Sequence, residues 1–185
     1  MKVRATIAAV CVLAGLGVAE ARENAPAGGA GPAPGAERAW LDAHNSARAA
    51  FGSAPLRWNP ALEAEARSWA ERLARENVLR HSPRRHRNGT GENLWMGSAG
   101  HYAPAQMIAA FTGEKRFFRA GTFPNVSRTG NWADVGHYTQ VVWADTREVG
   151  CASARGRHFD VLVCRYWPAG NVMGERIAPG RVARR

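Results

Sequence analysis

The fold of this chain is most strongly indicated by residues 136–143, Gly-His-Tyr-Thr-Gln-Val-Val-Trp. Three of these residues are β-branched, Thr139, Val141 and Val142, and such side chains favour a β-strand. The run is also short, and a short apolar run is compatible with a helix as well as a strand. For residues 138–143 the local sequence therefore leaves two alternatives open, a strand and a short helix.

Two β-strands are predicted downstream of this segment. Residues 148–153 and 158–166 flank a turn predicted at residues 154–157, which has the sequence Ala-Arg-Gly-Arg. In the second strand, three side chains alternate with three others, namely Phe159, Val161 and Val163 with Asp160, Leu162 and Cys164. The pattern predicts an antiparallel hairpin.

The upstream part of the chain has the periodicity of helices. Residues 37–51 place apolar side chains at spacings of three and four, and Gly52 follows as a stop signal. A second helix is predicted to begin at Asn59-Pro60, a capping residue followed by proline. A third is predicted from residue 104 to about residue 118. Helices followed by strands predict an α+β fold with a small antiparallel sheet.

The amino terminus has the features of a secretory signal peptide. Two basic residues precede an apolar stretch at 7–18, and Ala19-Glu20-Ala21 supplies a small-x-small cleavage site. The apolar stretch has 12 residues, whereas a membrane-spanning helix needs about 20. We therefore expect residues 1–21 to be removed, a secreted or periplasmic protein that begins at Arg22, and no transmembrane segment in the mature chain.

The composition divides the mature chain into three parts. Residues 22–36 are rich in Ala, Gly and Pro and are predicted to be a flexible linker. Residues 37–178 have the length of one domain with one core. Residues 179–185 are predicted to be a basic tail.

Loss of the signal peptide would leave two cysteines, Cys151 and Cys164. In an exported chain they are most simply one disulfide, and two separate buried thiols are the alternative. A hairpin centred on Arg155-Gly156 would hold the two cysteines too far apart for a bond. A direct bridge requires pairing centred near Arg157-His158, or a bulge.

The chain is strongly basic, with a net charge of +10 and a pI near 10.9. Its 25 basic residues are 23 arginines and 2 lysines, and they are spread along the sequence. This distribution does not indicate nucleic-acid binding, but it is compatible with attraction to an anionic envelope surface or lipid. The many alanines and arginines favour a bacterial source.

Six segments in order resemble the CAP superfamily of cysteine-rich secretory, antigen 5 and pathogenesis-related 1 proteins. They are residues 44–48 (HNSAR), 81–82 (HS), 91–95 (GENLW), 136–143 (GHYTQVVW), 149–152 (VGCA) and 164–171 (CRYWPAGN). The resemblance implies a three-layer α-β-α sandwich in which a three-stranded antiparallel sheet lies between helical layers.

The resemblance also implies a cleft with two histidines and two glutamates. They correspond to His81, Glu92, His137 and Glu114, although this chain has Phe111 where the family usually has a tryptophan before the second glutamate. Gly113, next to Glu114, weakens a helix interior. The family pairing of cysteines matches Cys151 with Cys164.

Two neutral imidazoles, His81 and His137, can bind a divalent ion such as Zn²⁺, and nearby carboxylates can orient the rings. The same four side chains can instead form a purely structural polar network. A secreted hydrolase that uses Ser82 in this cleft is a further alternative, but no GxSxG motif supports it. The sequence thus favours a binding protein over an enzyme, with a metal and a lipid or other apolar molecule as candidate ligands.

Overall fold

The first two predicted helices are present in the computed structural model, which describes residues 35–179. Helix α1 spans Ala36–Phe51 and ends at Gly52, whose φ of 89° is readily adopted by glycine. Helix α2 spans Pro60–Glu76, and the Asn59 side chain accepts hydrogen bonds from its first free backbone N–H groups. The predicted signal peptide, the linker up to residue 34 and the tail from residue 180 lie outside the described residues. The linker is predicted to extend to residue 36, but Ala36 is the first residue of α1 and is buried.

The third helix is shorter than predicted. Helix α3 spans Pro104–Thr112, and residues Gly113–Phe117 form a 3-10 turn instead of continuing the α-helix to Phe118. Glycine has low helix propensity, which explains the change at Gly113. Of the two alternatives for residues 138–143, the structure has the short helix: α4 spans Gly136–Val142.

The main sheet has the strand order β1-β4-β5-β2. Strands β2 (Gly91–Ser98), β4 (Glu148–Arg155) and β5 (Phe159–Trp167) are antiparallel, while the two-residue β1 (Arg57–Trp58) pairs in parallel with β4. A separate two-stranded ladder joins β3 (Gly121–Thr122) to β6 (Arg176–Ile177). The three-stranded antiparallel sheet is therefore confirmed, with β1 as an additional edge.

The β4-β5 hairpin brings the two cysteines together. Cys151 lies directly opposite Cys164, and their sulfur atoms are bonded at 2.06 Å. The pairing is centred between Arg157 and His158, as a direct bridge requires. The turn is shorter than predicted, because Arg155 still pairs with Asp160.

Helices cover both faces of this sheet. Helix α2 packs on one face, where Ala66, Trp69 and Leu73 share a core with Val161 and Val163. Helices α1, α3 and α4 pack on the other face, with a core that includes Trp40, Phe111, Tyr138, Cys151 and Leu162. The predicted three-layer α+β fold is confirmed, and coverage of both faces explains why β5 is buried at most positions and not only at alternate ones. Within the described residues, no helix has the length and apolar character needed to cross a membrane.

Candidate functional site

Glu92 lies near the start of β2, and its side chain is fully buried. Its carboxylate accepts hydrogen bonds from His81 Nδ1 at 2.7 Å, Ser82 N at 2.9 Å and Ser82 Oγ at 2.8 Å. Arg165 Nη2 lies 3.2 Å from the second carboxylate oxygen. Burial by itself would raise the pKa of Glu92, but these hydrogen bonds and the Arg165 charge hold the pKa below its usual value.

The second histidine is held by Glu114, which lies in the 3-10 turn after α3. His137 Nδ1 is 2.6 Å from Glu114 Oε1, and the backbone N–H groups of His137 and Tyr138 donate to Oε2 at 2.9 and 3.0 Å. The carboxylate thus caps the amino terminus of α4 as well as orienting the ring. Phe111 stacks on His137 with ring centroids 4.9 Å apart.

The two histidine–glutamate pairs leave the same ring atom free. An ionised carboxylate can only accept hydrogen bonds, so we assign the proton of each neutral ring to Nδ1. Nε2 then carries the lone pair that a metal ion requires. The side chains of His81 and His137 are 56% and 35% exposed, respectively, so neither ring is closed off from solvent.

The Asn93 side chain connects the strand that carries Glu92 to the helix that carries His137. Asn93, the residue after Glu92, donates from Nδ2 to the backbone oxygen of His137 at 3.1 Å and to the Tyr166 hydroxyl at 3.2 Å. The start of β2 is therefore tied to the first residues of α4. Within residues 35–179, the four side chains of the two pairs do not form a group of three ligand atoms within 4.8 Å of one another.

Such a group does occur around the disulfide, at His44, Cys151 and Cys164. It is not suited to a metal, because the two sulfur atoms are bonded to each other and are not thiolates. Both ring nitrogens of His44 are also engaged, Nδ1 with the Trp40 carbonyl at 2.7 Å and Nε2 with the Tyr166 hydroxyl at 2.8 Å. We interpret this group as core packing.

Both histidine–glutamate pairs lie within the part of the chain that matches a known protein family. The sequence model of the CAP family, described as the cysteine-rich secretory protein family, matches residues 41–166, which is more than half of the chain. The chain belongs to the CAP family.

Relatives of this CAP chain include plant proteins. Pathogenesis-related protein PR-1 of Medicago truncatula is 39% identical over 140 residues, covering 74% of this chain and 76% of the relative. Pathogenesis-related protein 1C of Nicotiana tabacum is 36% identical over 144 residues, covering 77% of this chain and 81% of the relative. These relatives do not support the bacterial source expected from composition.

A solved structure with the same fold is that of NaASP2 with Zn²⁺. Its TM-score to this CAP chain is 0.69 at 27% sequence identity, and the match covers 79% of this chain and 86% of NaASP2. The zinc ion belongs to that structure.

Arg165 is the residue of this CAP site that the sequence analysis did not single out. It lies on β5, is 2% exposed, and is the cross-strand partner of Glu92 on β2. The signal was present in the sequence as an arginine inside a predicted strand, in the run at residues 161–167 that is otherwise apolar or aromatic, because a charge in that position needs a partner.

Replacement of Glu114 by glutamine is expected to change the tautomer of His137. The amide group has one acceptor and one donor end, so it cannot accept from the ring and both backbone N–H groups. We expect the ring proton to move toward Nε2, and the free energy of unfolding to fall by about 1–2 kcal/mol through loss of the α4 cap. Nitrogen-15 NMR of the imidazole and urea denaturation measure the two effects. Glu37→Gln, an exposed change in the first turn of α1, is the control, and an unchanged His137 tautomer would contradict the assignment.

Proposed function

We propose that this CAP-domain chain is an exported binding protein whose His81 and His137 bind a divalent metal ion, with Zn²⁺ as the first candidate. The observation that supports the proposal most directly is that a glutamate engages Nδ1 of each histidine, which leaves Nε2 of both rings available. Histidine ligands of zinc typically have their other nitrogen bonded in this way.

The two histidine side chains fit a zinc site in which some coordination positions are not filled by the protein. Two imidazoles supply two nitrogen ligands, and water or a bound molecule would complete the coordination. Glu92 and Glu114 would act by orienting the rings. The structure of NaASP2 with Zn²⁺ adds support, since it is a family member of the same fold.

Export is the second part of the proposal. The predicted signal peptide at residues 1–21 supports it, and so does the Cys151–Cys164 disulfide, because such bonds persist in oxidising compartments. The family is described as one of secretory proteins. We therefore expect the functional form to begin at Arg22 and to act in the periplasm or outside the cell.

The geometry around Ser82 does not favour the hydrolase alternative. Its hydroxyl donates to Glu92 Oε2 at 2.8 Å, so its proton is directed to a carboxylate and not to an imidazole. A serine nucleophile is activated by a base that accepts its proton and is itself oriented by a third group. Here Glu92 accepts from Ser82 and His81 separately, and Ser82 is better described as a residue that holds Glu92.

A lipid or other apolar ligand and an anionic envelope surface remain part of the proposal. The basic composition supports the anionic partner.

Intact-mass analysis of the exported protein first checks that it begins at Arg22. Calorimetric titration of the same protein with Zn²⁺ then tests the metal site. His81→Ala and His137→Ala are each expected to abolish measurable binding, because one imidazole with water makes a poor zinc site. Glu92→Gln is expected to weaken binding by about 10–100-fold. The affinity should also fall as the pH is lowered, since protons compete with zinc for the imidazoles.

His158→Ala is the matched control, because this exposed histidine lies in the β4-β5 turn. Circular dichroism should show that every variant remains folded. Unchanged zinc affinity after loss of either His81 or His137 would refute the metal site and favour a structural polar network.

A further inference from the structure

The end of the main sheet near Trp167 has an unusual combination of exposed side chains. Trp167 is the last residue of β5 and is 45% exposed. It lies opposite Glu148 in the sheet, and Glu148 lies opposite Arg57 on β1. The Arg147 backbone N–H donates to the Trp167 carbonyl at 2.9 Å. On this side, Arg147 is therefore a backbone neighbour of the tryptophan, and Arg57 lies one strand further away.

A basic loop lies on the other side. The backbone N–H of Ala169 donates to the Gly89 carbonyl at 3.2 Å, which ties residues 84–90 to the segment that follows Trp167. Arg84 and Arg85 are exposed, and the loop contains no acidic residue. The tryptophan therefore lies between two segments of the chain that carry exposed arginines.

The charge balance of this region is positive. Residue 57 and segments 84–90, 144–148 and 167–173 contain five arginines and two carboxylates, Asp145 and Glu148. One of these carboxylates, Glu148, is paired with Arg57 at 3.2 Å. We call Arg57, Arg84, Arg85, Arg147 and Trp167 the Trp167 surface.

We propose that the Trp167 surface docks on a membrane interface that contains anionic lipid. Arginine side chains near an anionic bilayer each add to its attraction, and tryptophan rings prefer the headgroup level of the interface. An exposed tryptophan between the arginines favours a lipid interface over a soluble polyanion, which needs charge alone. This inference rests on the lipid-partner part of the proposed function and is independent of the metal site.

Binding of the exported protein to phosphatidylcholine vesicles, with and without phosphatidylglycerol, tests the proposal in the presence of EDTA. We expect binding only to the anionic vesicles. The double variant Arg84→Gln/Arg85→Gln should weaken it by roughly 25-fold, at about fivefold for each arginine. Both side chains are exposed, so the fold should be retained.

The double variant Arg75→Gln/Arg157→Gln is the matched control. It removes the same charge from two exposed residues at the other end of the sheet, where Ala74 lies close to Gly156 in the β4-β5 turn. We expect it to weaken binding less than threefold, as an order of magnitude for remote, screened charges. An equal loss in the two double variants would overturn the proposal, because it would show a response to net charge alone.

Trp167→Ala separates a lipid interface from a soluble polyanion. We expect this variant to weaken vesicle binding by roughly tenfold, including the part that persists in high salt, and to leave heparin binding unchanged. Vesicle binding equal to that of the unaltered protein would overturn the lipid assignment. Since EDTA removes divalent metal, failure of vesicle binding and failure of zinc binding are distinguished from each other.

Discussion

Arg48→Met is expected to destabilise the protein by about 5 kcal/mol, a large part of the stability of an ordinary domain. The Arg48 side chain is completely buried and donates to four backbone oxygens. Nε bonds to Ala54 at 2.6 Å, Nη1 to Val141 and Trp143 at 2.9 and 2.8 Å, and Nη2 to Thr146 at 2.9 Å. Two of these oxygens lie at the carboxyl end of α4.

The size of the effect comes from the backbone carbonyl groups that would lose the Arg48 donors. Methionine is shorter than arginine and has no donor, so several buried carbonyl groups would lose their partners, and each loss costs about 1–3 kcal/mol. The positive charge that complements the carboxyl end of the α4 dipole would also be lost.

Urea denaturation of the two proteins measures this difference in the free energy of unfolding. Arg38→Met provides the control, because Arg38 lies on the same helix with a side chain that is 87% exposed. We expect that control to change stability by less than about 0.5 kcal/mol. A loss of less than 1 kcal/mol for Arg48→Met, as an order of magnitude, would show that the buried contacts contribute little.

Lowering the pH from 7 to 5 is expected to cost about 2 kcal/mol of stability through His44 alone. Burial lowers the pKa of His44 from 6.5 to about 4, although the hydrogen bond to the Trp40 carbonyl opposes this shift. In the unfolded chain the ring would titrate near its ordinary value. Below pH 6.5 the unfolded state therefore binds a proton that the folded state does not, and stability falls as the pH falls toward 4.

Urea denaturation between pH 7 and 5 for the unaltered protein and for His44→Gln isolates this contribution. Glu92 does not disturb this measurement between pH 7 and 5. Its pKa in the folded protein is lowered from 4.5, so its contribution to the free energy of unfolding is lost only at more acidic pH. Glutamine retains hydrogen-bonding groups but does not titrate. The free energy of unfolding of His44→Gln should therefore change much less with pH than that of the unaltered protein. His158→Gln should keep the full pH dependence, and an identical slope in His44→Gln would contradict the assignment.

The sequence alone was sufficient for the elements whose signals are local. Helix α2 begins at the predicted Asn59-Pro60 cap, and α1 ends at Gly52, because capping and glycine act within one turn of the chain. The order of the six motifs indicated the CAP family. For the hairpin, the geometry of a Cys151–Cys164 bond left two possibilities, pairing centred near Arg157-His158 or a bulge, and the structure has the first.

The tertiary structure decided what local propensity could not. Residues 136–142 contain β-branched side chains, yet they form helix α4. Glu114 accepts from the backbone N–H groups at the start of this helix, and Arg48 donates to the carbonyl groups at its end. These partners lie 23 or more residues away along the chain, so no local window contains them.

The same distinction applies to the site. The family motifs indicated His81, Glu92, Glu114 and His137, but which carboxylate bonds to which ring depends on how β2 and α4 pack. The buried Arg165 near Glu92 likewise follows from the pairing of β2 with β5. Hydrogen bonds and ion pairs act over only a few ångströms, so these partners are set once distant segments have been brought together by burial of the two cores.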